Sequence, residues 1–129
     1  MRTTQVSAFL ENRPGRLLYL LNVLADGGIN LIAHNIVDAS DFGIVHMLVD
    51  RPRHALEIMR DAGITCSTTE VLEVTMPDEP GAFVRQVLQP LAQAGVNIEY
   101  SYAYSAIGSG KAKSVLKVDD LDKAEKVLG

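Results

Sequence analysis

Two Pro-Gly loops carry the polar residues whose types and spacing could support chemistry in this sequence. Residues 11–15 read Glu-Asn-Arg-Pro-Gly, and residues 77–81 read Pro-Asp-Glu-Pro-Gly. Each loop precedes a helical pattern, and a Gly-apolar-Asn triplet follows at helix length, ending at Asn30 and Asn97. Because a helix N-terminus leaves its first amides unpaired and carries about +0.5 of a charge, each loop could attract a carboxylate.

The group that best matches the first loop is an α-amino acid. Gly15 lets a ligand approach the backbone because no side chain intervenes. The side-chain amide of Asn30 offers a donor and an acceptor, which could hold the carboxylate and ammonium of a zwitterion. In the second loop Asp78 and Glu79 add negative charge, which favours an ammonium and opposes a carboxylate. We therefore expect the first loop to be the better carboxylate site.

No catalytic or metal-binding pattern accompanies the loops. Cys66 is the only cysteine, and no His or acid stands at a motif spacing that would make it a nucleophile. His34, His46 and His54 lack the paired spacing of metal ligands and are predicted to be structural or exposed. We expect no metal and no cofactor.

Three tyrosines alternate along one predicted strand. Tyr100, Tyr102 and Tyr104 fall on the same side as Ile98. We favour core or dimer packing with the hydroxyls reaching a partner, and direct contact with a ligand is the alternative.

The two loops belong to an internal repeat. The Pro-Gly pairs lie 66 residues apart, and the Gly-apolar-Asn triplets lie 67 apart. The one-residue difference falls in the second helix, where proline removes an amide donor. A kink or bulge near Gln89 and Pro90 is predicted to absorb the extra residue. Two copies of one unit therefore fill the chain, at residues 1–69 and 70–129.

Hydrophobic periodicity gives the same element order in both copies, apart from the final strand. The predicted segments after the first strand are a helix from Pro14–Gly15 to Gly27–Gly28, strands at 30–38 and 42–50 around the turn 39–41, a helix at 52–62, a strand at 65–76, a helix at 81–94, strands at 96–105 and 111–118 around the turn 108–110, and a helix at 120–128.

The order βαββαβ followed by βαββα predicts an α+β fold of two ferredoxin-like units. Right-handed crossovers give each unit an antiparallel sheet with both helices on one face, which leaves the other face to pack on a partner. The last strand of the second unit is absent from this chain. Either this strand is missing from the sequence, or the second sheet pairs at that edge with a strand from elsewhere.

Composition excludes several classes of protein. The 129 residues include 47% hydrophobic and 22% charged residues, as in soluble globular chains. The net charge of −4 argues against nucleic acid and anionic lipid as partners. No apolar stretch is long enough to span a membrane, and the N-terminus lacks a secretory signal. With a single cysteine, these features lead us to expect a cytoplasmic protein.

The loops and their order resemble the ACT domain, the ferredoxin-like amino-acid-sensing module of biosynthetic enzymes, and the whole chain resembles the stand-alone tandem ACT proteins. The first copy is similar to the serine-sensing domain of phosphoglycerate dehydrogenase. The resemblance implies that effectors bind at the first strand-to-helix corner, at an interface between domains. It selects, in the two copies, Asn12, Arg13, Pro14, Gly15, Asn30 and Leu31, and Asp78, Glu79, Pro80, Gly81, Asn97 and Ile98.

Some residues depart from the family pattern. Where the serine sensor has a ligand-contacting histidine, this chain has Leu10 and, in the second copy, Met76. Serine specificity is therefore not expected to carry over.

The resulting expectation is a non-catalytic regulator that binds a free amino acid and changes assembly or the activity of a biosynthetic or catabolic enzyme. We expect it to be a homodimer or larger assembly. The alternatives are a structural dimerisation module that binds no ligand and a small enzyme of unknown chemistry, since the fold alone does not exclude catalysis.

Overall fold

A computed structural model describes residues 1–39, 41–106 and 108–129. The chain divides into two compact units. The N-terminal unit is Thr4–Thr69, and the C-terminal unit is Glu70–Gly129 together with Met1–Thr3. The expected turn at 39–41 includes Ser40, which lies outside the described residues.

The N-terminal unit has the predicted order of elements. Its strands hydrogen-bond in the order β2-β3-β1-β4, and β3 is antiparallel to both of its neighbours. The elements are β1 (Arg2–Glu11), α1 (Arg16–Asp26), β2 (Leu31–Ala39), β3 (Phe42–Val49), α2 (Pro52–Asp61) and β4 (Thr65–Pro77).

Alternation along β1 and the helical period of α1 build the core of this unit. Val6 and Ala8 point from β1 into a cluster with Leu20 and Leu24 of α1. Met59 of α2 is fully buried in the same cluster. Each large side chain removed from water contributes roughly 1.5–3 kcal/mol, so this core holds the corner between β1 and α1 in place.

The C-terminal unit repeats this arrangement, with the strand order β1-β4-β6-β5. Its core contains Leu72, Leu91 and Leu116. The helices of the described residues are too short or too polar to cross a lipid bilayer. The remaining elements are a π-helical turn (Val84–Leu88), α3 (Gln89–Gln93), β5 (Ile98–Tyr104), β6 (Lys111–Val118) and α4 (Leu121–Leu128).

The π-helical turn confirms the predicted irregularity in the second helix. It spans Val84–Leu88 and leads directly into α3, which begins at Gln89. A π-helical turn adds one residue to a helix without rotating the flanking faces. The extra residue of the second copy is accommodated there, one turn earlier than the position of Pro90 suggests.

The second sheet borrows its edge from the beginning of the chain. The Met1 amino group donates to the Glu73 carbonyl at 3.0 Å, and the Glu73 amide donates to the Met1 carbonyl at 2.7 Å. This reciprocal pair is typical of antiparallel strands. Arg2 adds ion pairs to Asp122 and Glu125 of α4. Met1–Thr3 thus takes a place beside β4 in the C-terminal unit.

The polar side of β1 is more buried than its alternation suggests. The pattern predicts a strand with one solvated face, yet Gln5 is 0% exposed and Ser7 is 4% exposed. The Nδ1 atom of His46 lies 3.1 Å from both Gln5 Nε2 and Ser7 Oγ. Buried polar groups are tolerated where they hydrogen-bond with one another, and this cluster is such a case. His46 is therefore structural, as predicted.

The tyrosines also have structural roles. Tyr102 is 9% exposed, and burial raises the pKa of its hydroxyl. The Tyr104 hydroxyl donates to Glu73 Oε2 at 2.9 Å. Burial together with Glu73 raises the pKa of Tyr104 to about 12. Tyr102 is thus packed in the interior, and Tyr104 packs with its hydroxyl on a partner.

Candidate functional site

A cleft of about 150 Å³ lies at the corner where β1 turns into α1. We call it the first cleft. It contains two of the predicted site residues, Asn12 and Arg13, but not Pro14 or Gly15, and it adds residues from β2 and β3. Its walls are formed by Leu10, Glu11, Asn12, Arg13, Arg16, Leu17, Ile36, Gly43 and Val45.

The start of α1 leaves two amides unpaired beside this cleft. Gly15 precedes the helix with φ of +86°, a conformation that glycine adopts without strain. The Arg16 and Tyr19 amides donate to the carbonyls of Arg13 and Gly15. The amides of Leu17 and Leu18 have no partner among the described residues, and no side chain caps the helix. They are available to an anion.

Arg16 adds a positive charge to the wall of the first cleft. Its Nε atom is buried and has no hydrogen-bond partner among the described residues. Its guanidinium lies 4.9 Å from the centre of the Tyr19 ring. A cation in the first turn is unfavourable because the helix dipole is positive there. An anion bound in the first cleft would compensate both the dipole and the buried donor.

Sequence reasoning missed Arg16, although a signal was present. The first turn of α1 has no acidic residue, whereas helices commonly place acids there. An arginine in this position opposes the usual preference. That departure, next to a Pro-Gly loop, could have identified the residue.

The predicted Asn12 and Arg13 are held by neighbouring acids. Arg13 forms an ion pair with Glu11 at 2.5 Å, so its charge is largely compensated. The Asn12 side-chain amide donates to Asp38 Oδ1 at 3.1 Å, and its backbone amide donates to the Asp41 carbonyl at 3.0 Å. These contacts fix the shape of the loop.

Asn30 and Leu31 do not join the first cleft within their own unit. Asp38 touches Asn12, and Asn30 lies eight residues earlier near the opposite end of β2, about 25 Å away. The Asn30 amide donates to Asp50 Oδ1 at 3.0 Å, and its side chain is exposed. Asn12 and Asn30 therefore do not meet within one unit, because parallel β1 and β2 place the two residues at opposite ends.

Asn97 and Ile98 occupy the equivalent position in the second copy. The Asn97 amide donates to Asp119 Oδ1 at 2.9 Å. The repeated Gly-apolar-Asn triplet thus marks a backbone contact with an aspartate at the end of the neighbouring strand.

A second cleft, of about 340 Å³, occupies the corresponding corner of the C-terminal unit. Strand pairing establishes the correspondence: Leu10 pairs with Gly43 as Met76 pairs with Ala112. The lining residues of this second cleft are Met76, Phe83, Ser101, Tyr102, Ala103, Ala112, Lys113 and Ser114.

The second Pro-Gly loop lies beside the second cleft without lining it. The Asp78 amide donates to the Gly110 carbonyl at 3.0 Å, and the side chains of Asp78 and Glu79 are exposed. Arg85 donates to the Pro80 carbonyl at 3.2 Å and lies over Gly81, where an added Cβ would collide with its guanidinium. This arginine is therefore tied to the loop.

A larger cavity of about 480 Å³ lies elsewhere in the C-terminal unit. It is bounded by Met1, by β4, by Gln86 and Val87 of the π-helical turn and by Glu125 near the end of α4. No predicted site residue lines it. Size alone does not make it the better candidate, because its two acidic side chains, Glu73 and Glu125, are already paired with Lys113 and Arg2.

Two kinds of reactive group, a metal centre and an activated thiol, have no candidate among the described side chains. No group of three His, Cys, Asp or Glu residues among them could hold a metal ion. Burial raises the pKa of the Cys66 thiol, which favours the unreactive protonated form.

Duplicated ferredoxin-like units, each with a cleft where the first strand meets the first helix, define the class of this protein as a tandem of small-molecule-binding domains. The ACT domain pair family matches residues 1–128, and the chain belongs to that family.

Solved structures of similar proteins agree with this assignment. The protein BT0572 from Bacteroides thetaiotaomicron is 36% identical, with a TM-score of 0.93 over 99% of this chain and 87% of that one. The regulatory subunit of aspartate kinase from Thermus thermophilus shares the fold at 18% identity, with a TM-score of 0.69 over 97% and 87% of the two chains. That from Thermus flavus shares it at 18% identity, with a TM-score of 0.68 over 99% and 91%. No curated protein matches the chain.

Proposed function

We propose that this protein is a non-catalytic, cytoplasmic regulator that binds a small free amino acid in its first cleft. The observation that carries the proposal is the buried, unpartnered Nε of Arg16 beside the unpaired amides of Leu17 and Leu18. Arg16 and Leu17 both line the first cleft, and Leu18 follows them in the first turn of α1. This arrangement suits a carboxylate, because charge-assisted hydrogen bonds are about twice as strong as neutral ones.

The size of the cleft limits the ligand. A cavity of about 150 Å³ holds a benzene-sized molecule of about six heavy atoms. An amino acid of that size, binding at ~0.8 kcal/mol per atom, would have a dissociation constant of roughly 0.1 to 1 mM. The carboxylate of Glu11 lies on the same wall and can accept from the ammonium. Such an affinity suits the sensing of a metabolite pool.

Asn30 and Leu31 would contribute to this ligand only from a second polypeptide chain. Their exposed end of β2 would approach the Asn12 corner of another copy, which would couple ligand binding to assembly. The resemblance of the first loop to the serine sensor supports an amino acid as the ligand, whereas Leu10 argues against serine itself.

A homodimer is supported by the edge of the N-terminal sheet. β2 is the edge strand, and its Ile32, Ile36 and Val37 are 48%, 47% and 42% exposed. Phe42, at the start of β3, is 47% exposed. An apolar, unpaired edge favours association with another strand. The same feature supports the second candidate function, a dimerisation module whose clefts bind nothing.

The regulated partner is proposed by comparison. Two structures that share the fold are regulatory subunits of aspartate kinase. We propose that this chain likewise modulates a biosynthetic or catabolic enzyme when an amino acid binds.

Calorimetric titration of the protein with each of the twenty amino acids tests the proposal. We expect heat with one or two small amino acids. Arg16→Gln should weaken binding at least tenfold, since a hydrogen bond to a charged group contributes about 1.5–3 kcal/mol. Asn12→Ala should also weaken it by releasing the loop.

Arg13→Gln is the matched control, because Arg13 is already paired with Glu11. It should change affinity less than Arg16→Gln does. No heat with any amino acid, or equal affinity of wild type and Arg16→Gln, would exclude the sensor and favour the dimerisation module.

A further inference from the structure

The edge of β4 that pairs with Met1 is free beyond that contact. The amide and the carbonyl of Glu73 both bond to Met1, so they point away from β6. Backbone groups alternate in direction along a strand, and those of Thr75 therefore point to the same side as those of Glu73. No described residue pairs with Thr75 on that side, and Thr75 is exposed. One amide donor and one carbonyl acceptor are thus left for another strand.

Pro77 supports this assignment of the free edge. It ends β4 two residues after Thr75, on the same side, and its nitrogen carries no hydrogen. Proline is found in strands where its nitrogen does not face a neighbouring strand. Thr75 and Pro77 therefore belong to the row of backbone groups that β6 does not use.

The cavity of about 480 Å³ adjoins this free edge. Val74 and Thr75 of β4, Val87 of the π-helical turn and Leu128 of α4 are among the residues that line it. Val74 and Leu128 are only half-buried, so their apolar surface is accessible from the edge. A strand added beside Thr75 would place alternate side chains in this cavity.

The N-terminal unit contains the equivalent place. Ala8 corresponds to Val74, 66 residues later, as the two Pro-Gly corners correspond. Met59 corresponds to Leu128, because each follows by four residues the fully buried alanine of its helix. Ala8 and Met59 are both 0% exposed, in contrast to their half-buried equivalents.

The beginning of β4 covers this place in the N-terminal unit. Ile64 precedes β4, is 5% exposed and belongs to the same core cluster as Ala8 and Met59. Cys66 packs against that cluster from the second position of β4. Two apolar side chains at alternate positions of an extended segment therefore complete the first core. The equivalent apolar surface of the second unit has the shape and chemistry for a segment of the same kind.

We infer that the free edge of β4 and the adjoining cavity form a docking site for an extended segment of a partner protein, with aliphatic side chains at alternate positions. The segment would run antiparallel to β4 and continue the ladder that Met1 begins on Glu73. Hydrogen bonds with the Thr75 backbone would set its register, and the cavity would select its aliphatic side chains. The inference goes beyond the proposed amino-acid site and does not depend on it.

Two features of the site favour this occupant. The acids of the cavity, Glu73 and Glu125, are already paired with Lys113 and Arg2, so an aliphatic side chain suits it better than a cation. A second copy of the chain cannot pair its own β4 symmetrically about Thr75. Such pairing would require the Glu73 backbone groups, which already bond to Met1.

A synthetic peptide of residues 63–69, Gly-Ile-Thr-Cys-Ser-Thr-Thr, is the probe, because its Ile64 and Cys66 fill the equivalent place in the first core. We expect titration into the isotope-labelled full chain, under reducing conditions, to shift the NMR signals of the Thr75 amide and of the Val74 and Leu128 methyls to saturation. The same peptide with Ile64→Asp should bind at least tenfold more weakly, since a charge is costly in an apolar cavity.

Variants of the protein test the edge itself. Thr75→Pro removes the free amide donor and leaves the side that faces β6 unchanged, so it should weaken peptide binding by about tenfold. Thr75→Ala is the matched control, because it keeps the donor and should bind the peptide as the wild type does. Leu128→Asp charges the cavity instead and should also weaken binding at least tenfold, which keeps the test decisive should Thr75→Pro fold poorly.

Each outcome supports or overturns the inference. Saturable shifts at Thr75, weakened by the Ile64→Asp peptide and by Thr75→Pro or Leu128→Asp, support the docking site. Absence of saturable shifts, or equal binding by the wild type and these two variants, would overturn it. If Thr75→Pro instead reduces the size of the assembly in sedimentation velocity, a second copy occupies the edge and the inference is wrong. The first-cleft proposal stands or falls separately, by amino-acid titration of Arg16→Gln.

Discussion

Arg16 is the side chain on which the proposed binding site depends. Its charge lies at the positive end of α1, and its Nε is buried without a partner among the described residues. Both features cost stability in the absence of an anion. Residues that reduce stability locally are often retained for binding, and this one lies beside two unpaired amides. Ala82 stands at the equivalent position of the second copy, 66 residues later. It carries no charge and has no side-chain donor to leave unpaired.

His46 makes stability depend on pH. Burial lowers the pKa of its imidazole below the ordinary 6.5, so the folded protein takes up a proton less readily than the unfolded chain. The unfolded state then binds more protons at mildly acidic pH, and stability falls as the pH drops through 6.5. Above pH 6.5 the full contribution of neutral His46 to the stability of the folded protein is present.

We expect chemical denaturation to show a lower free energy of unfolding at pH 5.5 than at pH 7.5. His46→Gln should reduce this difference, whereas the exposed His34 replaced by glutamine should leave it unchanged. An identical pH dependence in wild type and His46→Gln would show that the Gln5–Ser7–His46 cluster does not resist protonation.

The π-helical turn of Val84–Leu88 explains at the scale of elements why two helices of unequal length fit one fold. The turn takes up one residue, so the apolar side chains before and after it still face the core. Ala82 and Leu91, on either side of the turn and nine residues apart, are both buried. In a regular helix they would lie about 180° apart, because each residue turns the helix by about 100°.

Deletion of the exposed Gln86 should convert this turn into regular α-helix and leave both buried faces in place. We expect a folded protein whose free energy of unfolding changes by less than about 2 kcal/mol. Deletion of the exposed Leu18 from α1 is the control, since that helix has no extra residue to lose. It should cost most of the stability of the N-terminal unit in thermal denaturation monitored by circular dichroism.

A deletion of Gln86 that unfolds the protein as severely as the Leu18 deletion would contradict this account. The extra residue would then be required for packing rather than accommodated by the turn.

The exposed apolar edge of the N-terminal sheet is where we expect two whole molecules to associate. Ile32 lies on the edge strand and is 48% exposed. We expect Ile32→Lys to raise the dissociation constant of the proposed dimer at least tenfold, because edge lysines oppose strand association. Sedimentation velocity over a range of protein concentrations measures the change.

Leu18→Lys is the control for this prediction. Leu18 is 65% exposed on α1, and a lysine there should leave the assembly unchanged. Dissociation by Leu18→Lys and not by Ile32→Lys would move the interface from the sheet edge to the helix. A wild-type protein that is monomeric at every concentration would contradict the dimer itself.

The amino-acid sequence alone determined the duplicated βαββ order, the Pro-Gly corners and the irregularity of the second helix. Each of these is written in local spacing: alternation for strands, a helical period for helices, and glycine or proline where the backbone must turn. The resemblance to ACT domains followed from the same local patterns.

The tertiary structure decided which residues meet. Leu10, Arg16, Ile36 and Val45 come from four elements and line one cleft because strand register brings them together. The same register places Asn30 at the far end of β2, although the repeat had grouped it with Asn12. Met1–Thr3 joined the C-terminal unit by pairing with β4. Spacing along a chain fixes its elements, whereas distance between side chains depends on how the elements hydrogen-bond and pack.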